Sequence, residues 1–159
     1  MRALGIIAFL AAAAAAATLT PFTPTLPIAF EQNLGQLNHP ATHLAVDHGW
    51  AFSCGALYRR PTSWNGPQSA ASIALNNANP GCQPSFGLPV PAVAHYYRGS
   101  DRSAWVESVP RFESLAFKNV APGLDWVYQA RAGLIEWRWN LSAATDPAAF
   151  TLRFDNSPF

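Results

Sequence analysis

The chain has 159 residues and a formal net charge of +1 at pH 7, so it presents no basic field for nucleic acid or anionic lipid. Charged residues make up 12% of the chain and aromatic residues 13%, and there are 14 prolines. This composition is typical of an extracellular β-domain and argues against a helical bundle. The length is sufficient for one domain with a sizeable core.

Residues 1–17 have the pattern of a bacterial signal peptide. Arg2 supplies the positive start, an apolar run follows, and the run ends in Ala15-Ala16-Ala17, a small-residue cleavage site. A membrane anchor is the alternative, but the run is shorter than the ~20 residues of a spanning helix and is mostly alanine. We therefore expect cleavage after Ala17, a secreted or cell-surface location, and no membrane span once the signal is removed.

The rest of the chain predicts strands separated by turns. Residues 18–27 form a Thr/Pro-rich linker, and residues 28–159 are expected to form one domain. Short apolar runs predict strands at 43–46, 50–54, 71–75, 93–97, 112–117 and 150–154, together with a hairpin inside 123–140. The proline-rich residues 76–91 are expected to be irregular, and helix is limited to single turns. The prediction is an all-β fold, an antiparallel β-sandwich of about eight short strands with very little helix.

The predicted hairpin has one aromatic face and one polar face. The expected register places Trp126 opposite Trp137 on the first face and Asp125 opposite Arg138 on the second. Three tryptophans are thereby directed into the core, namely Trp126, Trp137 and Trp139. Asp125 and Arg138 are expected to form a structural pair across the strands.

The chain has two cysteines, Cys54 and Cys82. In an oxidising compartment they are candidates for a disulfide, which would stabilise the fold by roughly 3 kcal/mol. Two unpaired thiols are the alternative, because the sequence does not give the separation of the two Cα atoms.

The histidines do not indicate a metal site. His39, His43 and His48 cluster near Asp47, but Pro40 prevents a helix from aligning the first two. A strand would also place the ends of the 43–48 segment on opposite faces. We expect solvated loop histidines and no bound metal.

Catalytic motifs are absent from the sequence. Asp125 and Glu136 lie near each other on the polar face of the hairpin, as the two carboxyls of a glycosidase would. The pairing of Asp125 with Arg138 favours a structural role for all three residues. No nucleophile, zinc-peptidase or phosphate-binding motif occurs, so no catalytic residue and no cofactor are predicted. Trp64, in a polar loop, is the candidate contact for a ligand or partner, and a ring folded back onto the domain is the alternative.

Several segments together resemble one family. They are Phe30-Glu31-Gln32-Asn33-Leu34-Gly35-Gln36, Tyr96-Tyr97-Arg98-Gly99 with Trp105, Val109-Pro110-Arg111-Phe112, Pro122-Gly123-Leu124-Asp125-Trp126-Val127-Tyr128 with Ile135-Glu136-Trp137, and Asp146-Pro147 with Leu152-Arg153-Phe154. The chain resembles the N-terminal domain of bacterial secreted β-propeller-repeat (SBBP-repeat) proteins. It departs from that pattern at Arg138 and Trp139, where the family usually has Asp-Phe, and it carries no repeats. The resemblance implies an extracytoplasmic β-domain of unassigned activity, truncated here relative to family members that continue with further strands.

The expected function is that of a non-enzymatic structural or adhesive interaction domain. A surface protein or a glycan is the expected partner. A carbohydrate-binding module that uses loop aromatics such as Trp64 is the first alternative. A glycoside hydrolase-like fragment is the second, and the missing motifs disfavour it.

Overall fold

The computed structural model describes residues 27–59 and 71–155. The predicted signal peptide, most of the predicted linker and Trp64 lie outside these residues. These described residues contain twelve strands: β1 Glu31–Gln32, β2 His43–Ala45, β3 Trp50–Ser53, β4 Ala56–Arg59, β5 Ala71–Leu75, β6 Gln83–Phe86, β7 Pro89–Tyr96, β8 Val106–Phe112, β9 Ser114–Ala121, β10 Leu124–Arg131, β11 Leu134–Leu141 and β12 Leu152–Asp155. Single 3₁₀ turns occur at Val46–His48, Arg102–Ala104 and Pro147–Ala149. No helix in the described parts is long and apolar enough to cross a membrane.

All strand pairs are antiparallel, which confirms the predicted all-β class. One sheet has six strands in the order β1-β2-β3-β4-β5-β12, and a second has four in the order β11-β10-β9-β6. Strands β7 and β8 form a separate ribbon that is joined to Phe30, the residue before β1, by two hydrogen bonds, Phe30 N to Phe112 O (2.8 Å) and Phe112 N to Phe30 O (2.9 Å). The two larger sheets pack face to face, as the 4.7 Å contact between the rings of Phe52 and Tyr128 shows.

The strand count exceeds the expected eight because the proline-rich segment is partly ordered as strand. Pro84 lies in β6, and Pro89 and Pro91 lie in β7. Proline has no N–H to donate, so it is accepted in a strand whose donor side is unpaired. As far as the structure describes the chain, β6 is an edge of the four-stranded sheet and β7 is paired only with β8. Both strands therefore tolerate proline.

The main core lies between the two large sheets. Its largest fully buried members are Trp126, Tyr128, Phe30, Phe52 and Phe117. A second, smaller cluster lies on the other face of the six-stranded sheet and contains Leu37, Ala41, Leu44 and Ala51, with Tyr58 packed against it. The side-chain amide of Asn33 donates to the carbonyls of Leu37, His39 and Ala41, which folds the intervening loop over this second cluster.

Cys54 and Cys82 form a disulfide with a Cα separation of 5.7 Å. The bond ties the turn between β3 and β4 to the start of β6, so it joins the two large sheets. A bridge between residues 28 positions apart restricts the unfolded chain and is worth roughly 3 kcal/mol.

The hairpin of β10 and β11 keeps its predicted faces but not its predicted register. Trp126 lies opposite Trp139 rather than Trp137, and Asp125 lies opposite Asn140 rather than Arg138. The difference is two positions, so every side chain stays on its expected face. The cause is the turn, in which Ala132 (φ 49°) and Gly133 (φ 77°) are the two central residues. Positive φ at both positions is the type I′ geometry of a two-residue hairpin.

The turn between β9 and β10 explains the Pro-Gly-x-Asp segment. Gly123 has φ 74°, and a Cβ atom there would lie 2.2 Å from Thr145 Oγ1. Two positions later, the Asp125 carboxylate accepts from the backbone N–H of Asn119 (2.9 Å) and from Lys118 Nζ (2.8 Å). These bonds hold the irregularity where β9 and β10 lose register.

Candidate functional site

The most distinctive surface is formed by two edge strands on one side of the sandwich. Among the described residues, β11 is paired only with β10, and β12 only with β5. Trp139 of β11 contacts Phe150, just before β12, at 5.9 Å between ring centroids, so both strands border the same side. We call this the β11–β12 edge surface. Its members are Ile135, Trp137, Trp139, Leu141, Leu152 and Phe154.

Burial decreases sharply from the inner strands to this surface. On β10, the core-facing Trp126 and Tyr128 are 0% exposed, whereas Trp137, opposite Tyr128 on β11, is 40% exposed. Phe154 of β12 is 58% exposed although it lies opposite Ile73, which packs against the core. The alternation of each strand directs these side chains inward, and no described strand covers them. The result is an apolar, aromatic rim that follows the gap between the two sheets.

The prediction that all three hairpin tryptophans are core residues is therefore only partly right. Trp126 is fully buried and Trp139 is half-buried, but Trp137 is exposed. The ring of Trp137 contacts Trp126 at 5.5 Å and Trp139 at 6.0 Å between centroids. Trp137 thus packs on one side against aromatic rings and presents its other side to solvent. Alternation predicted the face of Trp137 correctly, but no strand in the described part of the chain covers β11.

The polar residues of the hairpin are separated from one another. Burial raises the pKa of Asp125, but hydrogen bonds from Lys118 and Asn119 outweigh it and hold that pKa below its usual value. Arg138 does not pair with Asp125; its guanidinium donates to Gln129 Oε1 at 3.3 Å. The predicted Asp125–Arg138 pair is wrong because of the register shift described above.

Glu136 lies far from Asp125. Its carboxylate forms an exposed ion pair with Arg131, with 3.7 Å between Nε and Oε2. Glu136 lies opposite Gln129, four positions along the ladder from the Asp125–Asn140 pair. Four strand residues span about 13 Å, beyond the roughly 5–9.5 Å between glycosidase carboxyls. The two carboxylates therefore lie at different positions along the hairpin, Asp125 beside Lys118 and Glu136 beside Arg131.

A buried ionic cluster, which the sequence did not indicate, lies where β1 meets the β7–β8 ribbon. Glu31 is 1% exposed, and its carboxylate accepts from the hydroxyl of Tyr96 and from Gln36 Nε2 (3.3 Å). Arg111 Nε lies 3.8 Å from Glu31 Oε2, and Arg111 Nη2 lies 2.6 Å from Asp47 Oδ2. Burial raises the pKa of Glu31, while the two hydrogen bonds and the Arg111 charge act to lower it.

The cluster joins segments that lie far apart in the sequence. Glu31 and Gln36 belong to the first segment of the family resemblance, Tyr96 to the second and Arg111 to the third. Each segment alone appeared to be a strand or a turn, and nothing in the sequence showed that they converge. The available signal was a single acidic residue directly after the apolar Ile28-Ala29-Phe30 run. Both hydrogen bonds go to Glu31 Oε1, and Oε2 faces Arg111 without a hydrogen bond; these contacts, which join three segments, indicate a structural role.

His43 is a core residue and not a solvated loop histidine. Its ring lies 5.2 Å from that of Phe86 and 5.3 Å from that of Phe117, and it is 4% exposed. Its Nδ1 is 2.8 Å from Thr42 Oγ1. Burial lowers the pKa of His43 to about 4. The expectation of a solvated side chain failed because β2 is an inner strand, between β1 and β3. Across the described residues, no group of three or more metal-binding side chains occurs.

The tip of the β7–β8 ribbon carries a second aromatic patch. Tyr97 is 57% exposed and contacts the Trp105 ring at 4.9 Å. The His95 ring stacks with that of Tyr97 at 5.8 Å, and the Arg102 guanidinium lies 5.3 Å from the centre of the Trp105 ring. We call these four residues the ribbon-tip patch. It is an exposed aromatic surface with the Arg102 cation beside it.

Comparison with known families gives one match. Residues 58–158 match the family described as Domain of unknown function (DUF7948). The chain belongs to this family. The DUF7948 match begins inside β4, so it includes the β11–β12 edge surface and the ribbon-tip patch but not Glu31. No curated protein and no solved structure matches the chain.

Proposed function

We propose that this DUF7948 domain is a non-enzymatic interaction module on the outside of a bacterial cell. Its contact surface in this proposal is the β11–β12 edge surface. The observation that carries the proposal is that core-facing aromatic side chains on two edge strands are accessible, with Phe154 58% and Trp137 40% exposed. Exposed apolar groups that lie together mark contact sites more often than isolated ones do.

The chemistry of the domain favours binding over catalysis. Asp125, Glu136 and the buried Glu31 each have a polar or charged partner, and the two hairpin carboxylates lie too far apart to act on one glycosidic bond. The edge surface offers what a protein partner needs, which is aromatic area beside unpaired strand edges. The apolar signal sequence and the resemblance to SBBP-repeat proteins support an extracytoplasmic location.

A binding experiment with matched variants tests the proposal. Fluorescently labelled mature protein is added to cells of the producing bacterium, and bound protein is measured by flow cytometry over a concentration series. The double variant Trp137→Ser with Phe154→Ser is expected to reduce the apparent affinity about tenfold or more, since aromatic anchors dominate interface energies. Leu134→Ser is the matched control, because Leu134 is 66% exposed on the opposite face of β11. Equal binding by wild type and the double variant would refute the assignment of this surface.

A second candidate function is carbohydrate binding by the ribbon-tip patch. The observation in its favour is the accessible ring of Tyr97 beside Trp105, because sugar rings stack on exposed aromatic faces. This candidate replaces Trp64, which lies outside the described residues, as the aromatic to test. A glycan array with wild type and Tyr97→Ala separates the two candidates. Glycan binding that Tyr97→Ala removes and that Trp137→Ser leaves intact would favour the second.

A further inference from the structure

We propose that β12 pairs with β12 of a second copy of this chain across a two-fold axis, with Phe154 opposite Phe154 of the second copy. The inference rests on the proposed function, because it names one partner for the β11–β12 edge surface. Three observations support this pairing: one side of β12 is unpaired among the described residues, Phe154 is exposed, and Arg153 and Asp155 flank Phe154.

The unpaired backbone groups of β12 belong to Leu152 and Phe154. Asn76 N donates to Thr151 O at 3.0 Å, so Thr151 is hydrogen-bonded toward β5. Bonding alternates along an antiparallel pair, so Arg153 and Asp155 also bond toward β5. Leu75, opposite Leu152, instead donates its N–H to Gly55 O at 2.8 Å, on the far side from β12. The N–H and C=O groups of Leu152 and Phe154 therefore point away from the sheet.

Only a few registers allow two copies of β12 to pair. The two strands must be antiparallel, as a two-fold axis requires, and core-facing residues must lie opposite core-facing residues. A register shifted by one position would place Phe154 opposite a charged residue, so that core-facing and outward-facing side chains would no longer match. Centring on Leu152 would set Phe154 opposite Phe150, whose N–H already donates to Pro147 O at 3.2 Å. Three registers remain, centred on Arg153, on Phe154 or on Asp155.

The charges select among these three registers. Centring on Arg153 places two arginines opposite each other, and centring on Asp155 places two aspartates opposite each other, both of which are unfavourable. Centring on Phe154 places Arg153 of each copy opposite Asp155 of the other. Within one chain, Arg153 Nε already lies 2.7 Å from Asp155 Oδ2, and the two side chains are 62% and 40% exposed, respectively. Both charges are therefore accessible on the face where a second strand would meet them.

The same register covers the exposed aromatic group. Phe154 and its counterpart would form a hydrogen-bonded pair, with both backbone N–H and C=O groups satisfied and the two rings adjacent on the core-facing side. The six-stranded sheet would continue into its copy as one twelve-stranded sheet, and two exposed edges would be removed. The pattern Arg-Phe-Asp is thus self-complementary when it is reversed about its phenylalanine.

Cysteine cross-linking tests the register. In the proposed dimer the two Cα atoms at position 154 are about 5.5 Å apart, within the range of a disulfide. Mature Phe154→Cys protein, treated with a mild thiol oxidant, is expected to form a covalent dimer on a non-reducing gel. Leu152→Cys is the matched control, because the two copies of position 152 are separated by four strand residues, about 13 Å. Equal cross-linking of the two variants, or none, would overturn the register.

Charge exchange tests the partner without removing Phe154. Sedimentation velocity of wild type is expected to show a concentration-dependent dimer. Arg153→Asp and Asp155→Arg each place like charges opposite each other and should weaken that dimer about tenfold or more. An equimolar mixture of these two variants should dimerise again, because each then faces the opposite charge. The double variant Arg153→Asp with Asp155→Arg should also dimerise.

The outcomes separate this inference from the proposed function. Wild type that remains monomeric at every concentration, or charge variants that dimerise as wild type does, would overturn the self-pairing. Cell binding that depends on Trp137 and Phe154 would still support an interaction module with a different partner. If cell binding did not depend on Trp137 and Phe154 but the charge-sensitive dimer still formed, the cell-surface contact would be refuted and the dimer would be supported.

Discussion

Protonation of the buried His43 is expected to destabilise the domain as the pH falls. Burial between Phe86 and Phe117 lowers the pKa of His43 from 6.5 to about 4. The unfolded chain therefore binds the proton more readily than the folded domain does, and the free energy of unfolding decreases as pH falls through this window. One pKa unit corresponds to about 1.4 kcal/mol, so the stability lost is roughly 2 kcal/mol between pH 7 and 5 and roughly 3 kcal/mol between pH 7 and 4.

A difference measurement isolates this effect. The pKa of Glu31 is raised by burial, so its ionisation acts with the opposite sign: stability falls as pH rises above the ordinary glutamate pKa of 4.5. Glu31 is common to wild type and His43→Leu, so its contribution cancels when the two are subtracted. Urea unfolding at several pH values should show the wild-type free energy falling relative to His43→Leu by roughly 3 kcal/mol from pH 7 to pH 4.

The control is a core change without a titrating group. Phe117→Leu alters the packing against the same imidazole and should lower the unfolding free energy while leaving its pH profile close to that of wild type. If the difference between wild type and His43→Leu were constant from pH 7 to 4, His43 would titrate equally in the folded and unfolded states. The assignment of His43 as a buried, neutral core residue would then be refuted.

Three further predictions concern the core and the ionic cluster, each read out by chemical denaturation. Tyr128→Phe should raise the unfolding free energy by about 1 kcal/mol, because the Tyr128 hydroxyl is buried with no hydrogen-bond partner among the described residues; a loss of stability would reveal a missed partner. Arg111→Met should cost about 3 kcal/mol at pH 7 and less below pH 4.5, where Glu31 is protonated; a pH-independent cost would contradict the ion pair. Trp126→Ala should cost about 3–5 kcal/mol and Trp137→Ala about 1–2 kcal/mol; equal costs would mean that Trp137 is covered.

Alternation of side chains predicted the faces of the hairpin but not its register. Trp126 and Trp137 are on the expected aromatic face, and Asp125 is on the expected polar face. The register depends on the turn, and Ala132 adopts a positive φ that alanine rarely takes. A register shift of two positions keeps every side chain on the same face, so the alternation of the sequence cannot distinguish the two registers.

The exposure of side chains on an edge strand could not be predicted from the sequence, for a different reason. The pattern of β11 shows which side chains point toward the core, but not whether another strand covers them. Trp137 and Phe154 have the alternation of core residues and the exposure of surface residues. The Glu31 cluster was missed because its members meet only through the packing of β1 on the ribbon. Both features depend on contacts between segments distant along the chain.

The two edges of the six-stranded sheet differ in how they are covered. At the β1 edge, Phe30 is hydrogen-bonded to Phe112 of the ribbon, and beside it Glu31 is bonded to Tyr96 and faces Arg111. An ion pair and a tyrosine hydroxyl around one buried carboxylate permit few geometries, so they fix how the ribbon closes this edge. At the β12 edge no such cap occurs within the described residues, and Phe154 is left exposed. The buried ionic cluster closes one edge of this sheet, and the other edge carries Arg153 and Asp155 in a self-complementary order. Of these two edges, only the second is suited to pair with another strand. Contact through β12 would therefore leave the Glu31 cluster, and the sheet it anchors, undisturbed.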